Sequence, residues 1–278
     1  MRTRIYNKMT EKEVEDYLAR GGDTMFLAIG VVECHGALPI DCETVAPEAY
    51  AKLLAEKADG LAMINMPYFY PGGTNISNAT IQMSVRGGID YLMQICHSLV
   101  DQGFKRLFLI SGHGPSVCTI DAFCVDFMAE TLIHPCHLMS MFIGRDFDIN
   151  KGLPGGNEDY MLYGAYKIMG QMEYLPIVPD LEETSAVRSE VDPVMEHFSK
   201  LYAANRGFTA QVYSDPSQHG GGIIFRSEEE RLEICTKGEE QMRSRVDNCN
   251  IIELKEALGE YQDYIQRMYE KYPRIKAK

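Results

Sequence analysis

Apolar and polar positions change period repeatedly along this chain, and each change marks an element. Residues 9–20 predict a short amphipathic helix, with Thr10 as its N-cap and Glu13 completing a capping-box pattern. Residues 26–32 form an unbroken apolar run with the length and β-branched content of a buried strand. The Ala- and Leu-rich residues 46–57 predict a helix with Pro47 in its first turn, and residues 61–66 a second strand. Residues 67–78, rich in Gly, Asn and Tyr, form a loop long enough to serve a site. A helix over 88–102 closes at Gly103, followed by a strand over 105–110, a helix over 117–131 and a strand over 136–142. After a Gly-rich turn at 152–157, residues 160–169 again predict a helix. The carboxyl third holds a Pro-containing stretch at 175–180, a loop at 214–222 and a polar helix from Glu228 to the end. Strands alternating with helices predict an α/β fold, with a parallel sheet and helices on both faces, as one large domain or two smaller ones.

Composition narrows the function classes. A net charge of −13, with scattered Lys and Arg, argues against a nucleic-acid partner. No apolar run approaches the roughly 20 residues of a membrane span, and the first residues lack a secretory apolar core. The eight cysteines show no CxxC pair and read as reduced thiols of a cytoplasmic protein.

Candidate chemistry gathers where strands end, the usual place for ligands in α/β folds. Glu33 and His35 follow the first strand, on one side of an extended chain, and Asp41 and Glu43 come after a short turn. His113 follows the third strand in Ser111-Gly112-His113-Gly114, and Glu158 and Asp159 follow the Gly-rich turn. Imidazole and carboxylate without thiolate suit Zn or Mn in an open catalytic site. Two adjacent ions need a bridging carboxylate, and together they acidify a water and polarise a carbonyl. His219, in the Gly-rich carboxyl loop, is a candidate substrate contact or general acid, while His97, His134, His137 and His197 read as structural or exposed. Tyr70, Thr74, Asn75 and Asn78 offer neutral hydrogen-bonding groups to a substrate. Neither GxGxxG nor GxxxxGK[ST] is present.

Five blocks in order resemble the creatininase (creatinine amidohydrolase) family: MTEKEVEDYLARGGDTMFLAIGVVECHG, PYFYPGGTNISNATIQMS, GFKRLFLISGHGPS, GGNEDYMLYGAY and DPSQ followed by TKGEEQM. The resemblance implies one α/β domain over residues 1–278, a sandwich with a mostly parallel central sheet flanked by helices, together with two divalent metal ions per chain (Zn or Mn), a small cyclic substrate and a homo-oligomer, often a hexamer built from dimers. By position, Glu33 and His113 would bind one metal, while His35 and Glu158 would bind the other, with Glu158 also a catalytic candidate. Glu43 would bridge, with Asp41 as rival; Glu43 is favoured because Thr44 and the Ala-rich helix then fall in register.

The chain departs from the family pattern at Ala37-Leu38, Ser111, Pro115-Ser116 and near Pro154, and has no Trp. Tyr68, Phe69, Tyr70 and Tyr160 are candidate replacement walls. The expected function is a metal-dependent hydrolase that opens a polar ring through a metal-bridging hydroxide, by default at a cyclic amide C–N bond. The alternative bond is C–C, in a cyclic diketone such as 3-dehydro-scyllo-inosose of inositol catabolism. A peptidase or deformylase, and a non-catalytic α/β ligand-binding protein, are further alternatives.

Overall fold

A strand buried on both faces must be apolar along its middle, and the two central strands of this chain meet that demand, with polar residues only at their ends. In chain order the elements are α1 (Glu11–Ala19), β1 (Thr24–Ile29), α2 (Cys42–Lys57), β2 (Leu61–Met63), α3 (Val85–Gln102), β3 (Arg106–Ser111), α4 (Val117–Thr131), β4 (Cys136–Met139), α5 (Glu158–Met169), α6 (Glu228–Asp247) and α7 (Ile251–Lys271). They come from a computed structural model describing residues 1–139, 158–179, 193, 219 and 222–272, with the side chains of 158 and 159 outside that description.

All six residues of β1 are buried. Met25, Leu27 and Ile29, with Leu107 and Leu109 of β3, pack into a core that takes in α1, α3 and α4. Phe26, Ala28, Phe108 and Ile110 point the other way, into a core shared with α2, α5, α6 and α7. The period-2 alternation of a strand thus feeds two helical layers. The strands run parallel in the order β2-β1-β3-β4. From β1 the chain moves outward to β2, then crosses back to β3 on the far side of β1. The reversal opens a crevice between the carboxyl ends of β1 and β3, where such folds hold ligands. The parallel sheet flanked by helices agrees with the expected class.

Several boundaries differ from the sequence reading. β1 ends at Ile29, because the Gly30 N–H donates to Met66 O at 3.0 Å and the chain leaves its pairing with β3. α2 begins at Cys42, not residue 46, since the Thr44 and Val45 N–H groups both donate to Asp41 O. Pro47 therefore lies inside the helix and cannot donate to the Glu43 carbonyl one turn back. α3 starts at Val85, where the Ser84 hydroxyl accepts the Gly87 N–H at 3.0 Å. The polar carboxyl helix is two helices, parted at residues 248–250. Lys57, at the end of α2, clasps that break by donating to the carbonyls of Val246, Asp247 and Cys249. α5 and α6 cross backbone to backbone at Gly164 and Gly238: a Cβ on Gly164 would sit 2.7 Å from Gly238 Cα. Among the described residues no helix is long and apolar enough to cross a membrane.

Candidate metal centre

The crevice is furnished by two loops and the first turn of a helix. After β1 the chain passes Gly30, where any Cβ would press to 2.7 Å from Thr44 Cα, so only glycine lets α2 start this close. The Thr44 hydroxyl donates to Val31 O at 2.9 Å and pins the helix start to the loop. Further on, the Glu33 N–H donates to Ile40 O at 2.9 Å and the Cys34 N–H to the Thr80 hydroxyl at 3.2 Å. These bonds hold Glu33 and His35 toward the centre. After β3, the Ser111 hydroxyl accepts the His113 N–H at 3.3 Å and fixes the turn that presents the imidazole.

Glu33, Glu43 and His113 bring one ligand-type atom each within 4.8 Å of one another. Glu43 Oε2 lies 2.5 Å from His113 Nδ1, and its Oε1 lies 3.9 Å from His35 Nε2. The two oxygens thus face two imidazoles, the posture of a bridging carboxylate. Asp41 is turned elsewhere and accepts the Tyr166 hydroxyl. Glu33 is fully buried; its Oε2 accepts the Thr74 hydroxyl, and its Oε1 stands 3.1 Å from His113 Nδ1.

Burial is the main force lifting the Glu33 carboxyl to about 7. Burial also opposes ionisation of Glu43 and His113, but their mutual attraction outweighs it. Glu43 is held below the usual carboxylate range, and His113 is raised to about 10. Among the described residues, Glu33 Oε1, His35 Nδ1 and His113 Nε2 are buried without a hydrogen-bond partner. Ligand-type atoms left buried without a partner beside the Glu43–His113 contact fit a divalent cation.

The other predicted residues divide. His219 reaches the centre, its Nδ1 2.7 Å from Cys34 O. Thr74 is buried with its hydroxyl on Glu33, Tyr70 is half-buried, and Asn75 and Asn78 are exposed. Glu158 opens α5, and its side chain lies outside the described residues. Thr80 escaped the sequence reading, because a loop hydroxyl carries no period or spacing to mark it. A cavity of about 650 Å³ lies alongside, lined by Asp41, Thr44, Glu48, Tyr68 and Tyr91 but by none of the three clustered ligands.

Residues 7–166, more than half of the chain, match the family described as creatininase, creatinine amidohydrolase. A creatinine amidohydrolase of Pseudomonas putida is 29% identical over 119 residues. That match covers 38% of this chain and 43% of the relative, less than half of its length. A creatinine amidohydrolase (creatininase) structure aligns at 17% identity over 99% of this chain and 100% of that one, with a TM-score of 0.58. A Zn–Zn creatininase variant aligns at 18% identity over 99% and 100%, TM-score 0.54, and a Mn creatininase at 17% over 98% and 100%, TM-score 0.53. At such identities the likeness is one of fold.

Proposed function

The chain belongs to the creatininase family, and from that premise we propose that it is a divalent-metal-dependent hydrolase opening a small polar ring. One observation carries the proposal: Glu33, Glu43 and His113, from three separate segments, converge their ligand atoms within 4.8 Å at the sheet's crevice. Glu33, Glu43 and His113 would hold one ion, while His35, Glu43 and Glu158 would hold the other. Zn or Mn bound there supplies an acidified water and a polarised carbonyl.

The chain's own residues prepare that chemistry. Thr74 engages Glu33 Oε2 and leaves Oε1 directed at the centre. Thr44 and Gly30 fix the start of α2, and with it the reach of Glu43. Burial of the cluster strengthens each electrostatic contact within it. Replacing Thr74 by Val should weaken metal affinity and kcat/KM by about 10–100-fold, the usual cost of losing a hydrogen bond that orients a ligand. Zn titration alongside steady-state kinetics would check this; equal affinity in the variant would mean that Thr74 does not position Glu33.

The default substrate is a cyclic amide, cleaved at C–N. Cleavage of C–C in a cyclic diketone such as 3-dehydro-scyllo-inosose is the second reading, favoured by Asn75 and Asn78, exposed beside Thr74, as neutral partners for ring hydroxyls. A panel of cyclic amides and inosose diketones, run before and after chelation, tests both. One class should be turned over, with activity abolished by chelator and restored by Zn or Mn. Turnover indifferent to chelator would overturn the metal-dependent mechanism; no metal uptake and no turnover would favour a binding protein.

A further inference from the structure

We propose that His219 is a metal ligand through Nε2, on the ion faced by Glu33 Oε1, so that the carboxyl third of the chain completes the centre. The inference rests on the metal-hydrolase reading above. The tautomer comes first. His219 Nδ1 lies 2.7 Å from Cys34 O, and a carbonyl only accepts, so the ring proton sits on Nδ1. In the neutral ring, Nε2 then presents a lone pair. A ligating histidine is commonly oriented in this way, with its other N–H given to a backbone carbonyl.

Direction comes second. His219 Nε2 lies 3.8 Å from Glu33 Oε1, the buried oxygen that lacks a hydrogen-bond partner among the described residues. With the ring neutral, its lone pair faces that oxygen across the gap, and one cation between them would engage both. With bonds of about 2.0–2.2 Å, two ligands of one ion stand no more than roughly 4.4 Å apart, so 3.8 Å is within reach. The ring also stands edge-on to His35, with centroids 5.0 Å apart, which places a second imidazole of the centre beside it. A proton donor would need a second ring proton at Nε2. A cation held at Nε2 takes the place of that proton.

The test uses the full chain loaded with Co(II) or Zn. In His219→Cys, a thiolate replaces the imidazole, and a new near-ultraviolet thiolate-to-Co(II) band absent from wild type is expected. In His219→Gln, competition with a chromogenic chelator should show Zn held at least about 10-fold more weakly. If wild type binds metal while the Cys variant gains no band and the Gln variant keeps wild-type affinity, His219 is not a ligand and the metal reading stands. If wild type binds neither Zn nor Co(II), the metal reading itself falls, and this inference with it.

Discussion

Glu43→Ala should strip the centre of metal. Elemental analysis of wild type is expected to find about two ions per chain, and of the variant one or none, with hydrolysis lost beyond the roughly 10–100-fold that a missing outer hydrogen bond costs. The reason is geometric: one Glu43 oxygen faces His113 and the other faces His35, so a single truncation removes a contact from both sides of the centre. Asp41→Asn is the control. Asp41 accepts the Tyr166 hydroxyl, and an amide oxygen can still accept it, so metal content should remain at wild-type level. Metal lost in Asp41→Asn and retained in Glu43→Ala would reverse the assignment of the bridge.

The largest effect on stability should come from the crossing of α5 and α6. A Cβ on Gly238 would stand 2.7 Å from Gly164 N and nearer still to Tyr160 O, both backbone atoms that cannot rotate aside. Gly238→Ala must therefore push two helices apart, and such overpacking costs about 1–3 kcal/mol or more. For a chain of this size the melting temperature should fall by several degrees, roughly 4–10 °C. Gly164→Ala should act alike, and the double variant should cost less than the two single variants summed, because helices already parted admit the second methyl group. Thermal melts of the three proteins would check this. Full additivity would mean that the two glycines do not share one crossing.

The residues of the centre were legible to different depths, for physical reasons. Glu33, His35 and His113 follow apolar runs that contain strands, so their positions can be read from the pattern that marks those runs. Glu43 was harder to read. Its helix begins at Cys42, in a stretch with little helical signature, because the Thr44 hydroxyl and the missing side chain of Gly30 let the helix dock there. That is a tertiary cause, invisible to local propensity. Thr74 was read as a substrate contact because a loop hydroxyl looks the same whichever partner it meets; here it meets Glu33. His219 is 185 positions from the carbonyl that orients it, and no spacing rule spans that distance. The division of the long polar helix into α6 and α7 went unseen because Lys57, far away in sequence, satisfies the carbonyls at the break.

The place of β1 in the sheet also bears on how the chain is made. β1 is synthesised first yet lies second in the sheet, and its partner β3, beginning opposite Thr24 at Arg106, follows about eighty residues later. β2 arrives sooner but is paired at only three positions. At a ribosomal pace of about 5–20 residues per second, one edge of the apolar strand stays open for several seconds after it emerges. Pairing across so long a loop is slow in any case. The nascent chain thus passes through an interval in which its own central strand is its most adhesive segment, and that interval is when a chaperone would find it.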